Sequence, residues 1–259
     1  MIALVGLGQI GSRLAAHLPG KVLVVDRDVV EENDIGPVYQ KNQVGLPKAD
    51  AMYALLGKHK TLVGDVTDAT VLGSPSLVID CTDNFETRFV VNAFCVKRKI
   101  PYLFSAATHD QGLCARFDPG ICLSCVFPPV RDAPRCTGPI EPKVLRFLVR
   151  KILGLVKQGD RKLWVSTGHS YELPAGPCRC SIAPHAKPPG IRRLCGDTIQ
   201  IKGSKFDFQV RAGGLQISKD VIRYRRGKQA LTLFRDGRAL VHGSMDLAAA
   251  KQWYQRITT

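Results

Sequence analysis

The 259-residue chain has no apolar run long enough to span a bilayer, so no membrane insertion is expected. Its first strand-like run starts at Ile2, directly after Met1, which leaves no room for a secretory leader. No internal repeat and no low-complexity tract occurs, which excludes solenoid and collagen-like architectures. Acids are scarce: 22 Asp and Glu stand against 37 Lys and Arg, a formal charge of +15. That imbalance fits an acidic partner (nucleic acid, an anionic surface or a small acidic protein), or a generally basic surface with no such partner. The apolar content of 45% is ordinary and supports a real core, over one large domain or one and a half. Nine cysteines in a leaderless chain fit a reducing compartment, the cytoplasm, where metal ligation or catalytic thiols outrank disulfides.

The densest signal occupies residues 1–26. Ile2-Ala-Leu-Val5 reads as a buried strand. Gly6, Gly8 and Gly11 then form a G-x-G-x-x-G turn into a helix over 12–18. Glycines let a phosphate approach the backbone, and a helix start offers unpaired N–H groups. Val22-Leu-Val-Val25 is a second strand ending in Asp26, whose carboxylate can accept hydrogen bonds from ribose hydroxyls. The pattern reads as a nucleotide site without naming the nucleotide. A ligand-free glycine turn is its bland alternative.

Strand and helix patterns then alternate. A polar loop with Gly36-Pro37 follows Asp26, and Pro47 opens a helix reaching about Leu56. Lys48 sits at that helix start, where a lysine is electrostatically out of place unless it faces an anion. A short strand is expected over 62–66 and a clearer one from Leu77 into Asp80-Cys-Thr-Asp83-Asn84. Strand C-terminal ends carry ligand chemistry in open α/β sheets, so Asp83 is placed to hold magnesium; its other reading is the N-cap of a helix over 86–97. Strands over 102–106 and 112–117 follow. Beyond them the texture changes. Cys122-x-x-Cys125 has the spacing of half a tetrahedral metal site, and Cys178-x-Cys180 is the candidate other half, with Cys195 or His185 able to replace one member. Redox or unpaired buried thiols are the alternatives. Between the pairs, residues 144–156 carry helical apolar spacing, with Lys and Arg elsewhere. Cys136 lies between Arg131 and Arg135, charges that lower a thiol pKa and would suit a nucleophile; an ordinary free cysteine fits as well.

The last stretch has its own pattern: short strands over 198–201, 221–224, 231–234 and 239–241, an Asp236-Gly237 hairpin signal, and a helix over 245–257. Pro188-Pro-Gly190 marks the boundary. The expected fold class is α/β: a mostly parallel Rossmann-like sheet with helices on both faces, a Cys-rich zinc-bearing segment, and a small C-terminal α+β unit.

In this order the motifs resemble the ThiF/MoeB/HesA family, relatives of the ubiquitin-activating enzymes. The resemblance rests on Gly6-Leu-Gly-Gln-Ile-Gly-Ser12, Val25-Asp-Arg-Asp-Val-Val-Glu-Glu-Asn33, Val44-Gly-Leu-Pro-Lys48-Ala, Asp80-Cys-Thr-Asp83-Asn84 with Arg88, and Cys122-x-x-Cys125-Val-Phe-Pro. The tail from Leu194 to Gly243 also resembles the C-terminal extension of some bacterial members. The resemblance implies an adenylation domain over 1–190, a C-terminal unit over 191–259, and adenylation of the C-terminal glycine of a small ubiquitin-like protein with ATP and magnesium. It implies that Asp26 binds the ribose, Asn33 and Lys48 the phosphates and Asp83 the magnesium. The four cysteines would hold structural zinc, and Cys136 would handle the activated carboxyl or persulfide. It further implies a homodimer and a carrier ending in Gly-Gly, commonly acidic. Three departures stand out. Gly36 replaces the arginine of the family's Asn-x-x-Arg, with Arg27 or Lys41 as substitutes. The helix that often precedes the first strand is missing. The second cysteine pair is one residue shorter.

Four readings follow: activation of a sulfur carrier for thiamine, molybdopterin or related sulfur transfer; an adenylating dehydratase of a modified tRNA nucleoside; a nicotinamide-dependent oxidoreductase; and a catalytically weak zinc-bearing scaffold. The basic charge favours the tRNA reading. The paired cysteines and C-terminal unit favour the first, and no acid–base set for hydride transfer stands out.

Overall fold

The computed structural model describes residues 1–57, 59–66, 69–127, 138–180, 190–194, 198–203, 206–243 and 246–259. Strands with few polar positions become the buried centre of a sheet. β1 (Ile2–Val5), α1 (Gly11–Ala15), β2 (Val22–Asp26), α2 (Lys48–Leu56), β3 (Lys60–Val63), β4 (Leu77–Asp80), α3 (Phe85–Arg98) and β5 (Tyr102–Ala107) build five parallel strands in the order β3-β2-β1-β4-β5. Both faces of these strands are covered, as parallel sheets require. Ile2, Leu4, Val22, Val24 and Ile79 pack on one side with Leu14, Met52 and Leu148. Ala3, Val5, Leu23, Val25 and Val78 pack on the other with Phe89, Val91 and Phe94.

The sheet then changes direction. β6 (Gly112–Phe117) follows β5 after four residues, too few for the crossover of a dozen or so that a parallel neighbour needs. It therefore pairs antiparallel, and α4 (Pro142–Lys157), β7 (Lys162–Val165) and β8 (Ser170–Glu172) extend the sheet antiparallel to eight strands. The second sheet, among the described residues, is antiparallel. It comprises β9 (Ile191–Arg193), β10 (Ile199–Lys202), β11 (Gly214–Ser218), β12 (Val221–Arg226), β13 (Gln229–Phe234) and β14 (Arg238–His242), ordered β11-β12-β13-β14-β10-β9. Helix α5 (Leu247–Thr258) closes its core with Ala250, Trp253 and Tyr254. The two sheets meet where Val29 packs with Val221, Phe234 and Leu240.

Several sequence expectations shift. The first helix covers Gly11–Ala15 rather than 12–18, because Pro19-Gly20 follow closely and offer no helical continuation. The third strand covers Lys60–Val63 rather than 62–66. Asn84, not Asp83, caps α3, its side chain accepting from the Thr87 N–H at 2.9 Å. Strands β7, β8, β9 and β11 carry too few buried alternating residues to be read from pattern. Cys136, Arg131, Arg135, His185, Cys195 and Met245 lie outside the described residues, as does the Pro188-Pro189 boundary.

Candidate active site

Strand order reverses between β1 and β4, and the chain leaves both strands into one crevice. The glycine turn over 6–11 forms its floor. Gly6 has φ +90°, and a Cβ there would lie 2.7 Å from the Cys81 carbonyl oxygen. A Cβ at Gly11 would lie 1.9 Å from the Gly6 carbonyl oxygen. These two glycines are thus demanded by the turn's packing on itself and on the exit of β4. A Cβ at Gly8 meets nothing within 4 Å; this position faces the open cleft. Between them, Leu7 is pinned at both backbone groups. Its N–H donates to Asp26 Oδ2 at 2.5 Å, and its carbonyl accepts from the buried Tyr39 hydroxyl at 2.8 Å. The five-residue α1 aligns few peptide dipoles, so positive charge in this cleft comes from side chains.

Those side chains are Arg27 and Lys48, set among carboxylates. Asp26 is buried, and burial together with Asp28 pushes its carboxyl up to about 6, against the opposing pull of Lys48. Its oxygens accept from the N–H groups of Leu7 and Asp28, which leaves lone pairs for a further donor. Lys48, the first residue of α2, puts its ammonium 3.0 Å from Asp34 Oδ1. Burial pulls its pKa down, but Asp28, Asp26 and Asp34 outweigh that, and it stays charged. The anions that justify a lysine at this helix start are therefore partly the protein's own. Arg27 stands 3.4 Å from Asp65, 3.7 Å from Asp28 and 3.8 Å from Asp83; these carboxylates outweigh its burial and raise its pKa.

The turn carrying Asp83 is braced from below. Asp80, fully buried at the end of β4, accepts from the Thr82 N–H, the Thr82 hydroxyl and the Tyr102 hydroxyl at 2.7–2.8 Å. Arg88 donates to the carbonyls of Thr82 and Ser105 while its guanidinium lies 5.2 Å from the Phe85 ring and 5.0 Å from the Phe104 ring. Asp83 itself keeps a side chain 46% exposed. It lines three adjoining cavities: the cleft beside Gly8, Asp26 and Lys48; a second of about 400 Å³ reaching Arg88, Phe104, Leu113 and Ile140; and a third that includes Asn33, Lys48 and the C-terminal Thr198 and His242. Gly6, Gly8, Asp26, Lys48 and Asp83 thus share the cleft, Asn33 borders it, and Gly11 sits behind the turn. Asp65 carries no motif in the sequence, and Arg88 stands out there only as a motif position. No local periodicity marks either residue.

A separate cluster joins the two cysteine pairs. The sulfurs of Cys122, Cys125, Cys178 and Cys180 all lie within 4.8 Å of one another, with neighbouring separations of 3.7 Å, 3.6 Å and 3.3 Å. Zn–S bonds of about 2.3 Å in a tetrahedron place sulfurs roughly 3.8 Å apart, so the donor set fits a four-thiolate metal ion. One pair flanks the turn Leu123–Cys125; the Cys178 N–H donates to the Gly120 carbonyl at 2.7 Å, which seats the other pair beside it.

A glycine-turn crevice at the switch point of five parallel strands, with an antiparallel extension and a four-cysteine cluster, defines a doubly wound α/β protein with its ligand crevice at the strand ends. Within that class the chain belongs to the ThiF family, whose profile matches residues 1–140. It is 30% identical to the sulfur carrier protein ThiS adenylyltransferase of Bacillus subtilis, over 98% of this chain and 91% of that protein. It is 31% identical to the SAMP-activating enzyme E1 of Haloferax volcanii, over 49% of this chain and 53% of that protein. Among solved structures, Escherichia coli MccB with ATP shares the fold: TM-score 0.57 at 16% identity, over 70% of this chain and 65% of that one. No helix among the described residues is long and apolar enough to cross a membrane.

Proposed function

We propose that this chain is an ATP-dependent adenylyltransferase that activates the C-terminal glycine of a small ubiquitin-like sulfur carrier, for thiamine, molybdopterin or related sulfur transfer. The observation that carries this reading is the meeting of two cavities at Asp83: one beside Gly8, Asp26 and Lys48, the other of about 400 Å³ and partly apolar, with room for a chain end. In this reading residues 1–190 form the adenylation domain and residues 191–259 a C-terminal unit. Asp26 accepts from the ribose hydroxyls, and Asn33 and Lys48 face the phosphates. The turn of Gly6, Gly8 and Gly11 leaves room for them. Asp83 would hold magnesium, which offsets phosphate charge when bound. Cys122, Cys125, Cys178 and Cys180 would hold zinc. A carrier carboxylate oxygen attacks the α-phosphorus, the bond to pyrophosphate breaks, and an acyl-adenylate forms. The protein acts by positioning and charge stabilisation. Cys136 is the candidate thiol for the activated carboxyl or persulfide, and the assembly is a homodimer. ATP–pyrophosphate exchange with a Gly-Gly-ended carrier tests this. Carrier-dependent exchange supports it; bound ATP with no exchange for any carrier overturns it in favour of a scaffold.

The acidity expected of the carrier has a counterpart. The outer face of α4 carries Lys143, Arg146, Arg150 and Lys151 around the half-buried Phe147, and the helix holds no acid. Arg146 and Arg150 are exposed and make no ion pair among the described residues. The chain enters α4 from Ile140, which lines the second cavity, so a body whose tail lies there would rest on this face. The double variant Arg146→Glu, Arg150→Glu is expected to raise the carrier KM about tenfold at low salt, with less difference at high salt. Unchanged carrier KM, or loss of tRNA binding instead, would redirect the stripe to nucleic acid.

The raised Asp26 carboxyl sets a pH dependence. Ionised above about pH 6, it accepts from ribose hydroxyls; protonated below, it loses that capacity. MgATP affinity should be flat above pH 7 and fall about tenfold per unit below pH 6, whereas Asp26→Asn should bind weakly with no such step. For stability the sign is opposite. A carboxyl raised on folding opposes the fold above its native pKa, and that penalty fades as pH falls from 6 towards the unfolded value. Calorimetric titration at several pH values reads the first effect, and thermal denaturation over the same range reads the second.

A further inference from the structure

The profile match ends at residue 140, and the second sheet has no part in the reading above except through Thr198 and His242 at the rim. Yet this sheet grips the residue after Asp26 from two directions. Arg238 of β14, buried and held through Nε by Asp236 at 2.7 Å, donates from Nη1 to the backbone carbonyl of Arg27 at 3.2 Å. Arg192 of β9 and Gln200 of β10 both donate to Asp65 Oδ2, at 2.8 Å and 3.0 Å. Arg192 Nε donates in turn to the Gln200 amide oxygen at 3.0 Å, closing a triangle, and its remaining arm reaches Glu86 at 3.0 Å. The other oxygen of Asp65 faces the Arg27 guanidinium at 3.4 Å. The side chains of Arg27, Asp65 and Arg192 are about nine-tenths buried.

The consequence falls on Asp83. Arg27 is shared among Asp28, Asp65 and Asp83, with Asp83 the most distant at 3.8 Å. A guanidinium released by Asp65 would be left to the two remaining carboxylates, Asp28 at 3.7 Å and Asp83 at 3.8 Å, and a tighter Arg27–Asp83 pair would compete with any cation that Asp83 is to hold. Neither Arg192 nor Gln200 lines the cleft; they act through Asp65. We propose that the C-terminal sheet is a working part of the nucleotide cleft. Its Arg192 and Gln200 are positioning residues that anchor Asp65, which shares Arg27 with Asp28 and Asp83 and so limits the Arg27–Asp83 pair to a loose contact that a magnesium-bound nucleotide can compete with. This inference rests on the nucleotide reading of the cleft.

The test is a double-mutant cycle on the full chain, with MgATP binding followed by calorimetry and folding by thermal denaturation. Arg192→Ala should weaken MgATP binding five- to tenfold, and in exchange assays raise the KM for ATP with kcat little changed. Arg192→Lys, able to make one of the contacts, should recover part of the loss. In an Arg27→Ala background, Arg192→Ala should have no further effect on binding, because there is no guanidinium left to restrain. Wild-type affinity in Arg192→Ala, whatever its melting temperature, would overturn the proposal. So would an equal loss in both backgrounds, because Arg192 would then act by another route. A wild-type chain that binds no MgATP would remove the nucleotide reading itself, and the proposal with it.

Discussion

Asp83→Ala is expected to lower carrier-dependent ATP–pyrophosphate exchange by about 100-fold or more, with a melting temperature close to the wild type. The separation is the informative part. Asp83 is 46% exposed and is not the cap of α3, a role that Asn84 fills. Removing an exposed side chain of this kind costs about 0.5 kcal/mol or less. Its neighbour in the motif behaves oppositely: Asp80 is fully buried, holds three hydrogen bonds and shapes the turn from beneath, so Asp80→Ala should cost several kcal/mol and lose exchange through misfolding. Loss of one preorganised charge-stabilising element at a transferring phosphoryl group costs roughly 100- to 1,000-fold in rate. Exchange retained in Asp83→Ala would remove magnesium holding from this residue. Equal melting losses in both variants would mean that Asp83 also carries the turn.

The contrast between these two aspartates shows what the chain reveals on reading and what it hides. Strand alternation, the glycine turn and the polar ends of β2 and β4 are local patterns, and local pattern was enough to bring Asp26, Lys48 and Asp83 to one crevice. Arg192 and Asp65 are 127 positions apart, and no period in the sequence links them. The glycines are legible as a motif, but the motif blurs their roles: Gly6 and Gly11 answer to steric contact within the protein, while a Cβ at Gly8 would meet only the open cleft. The antiparallel extension was hidden for a different reason. β8 is exposed at every position, so burial leaves no alternation to read. The same limit explains why Lys48 was legible only in half: its place at a helix start called for an anion, and Asp34 at 3.0 Å supplies one without any ligand.

Removal of metal should have the largest effect on stability. Among the described residues, the two cysteine pairs belong to segments more than 50 positions apart, and the four sulfurs join them at one point. A cross-link of that span restrains the unfolded chain by about 3–4 kcal/mol if it acts as a disulfide would, roughly 8–15 °C in melting temperature for a chain of this size. The purified chain is expected to carry one zinc ion per copy by elemental analysis. Chelation at neutral pH should lower the melting temperature by that amount, and re-addition of zinc should restore it. Cys122→Ser should reproduce the loss without responding to zinc. Cys122 is the fully buried member of the set, and its β6-side turn is tied to the main core through the Leu123 N–H, which donates to Asn92 of α3 at 2.9 Å. α3 begins at the Asp83 turn, so metal loss should loosen that turn from its far end and lower exchange less than it lowers stability. A chain with no bound metal and an unchanged melting temperature after chelation would leave the four thiols as a packed cluster. Exchange lost before any melting shift would place the metal in the chemistry instead of the scaffold.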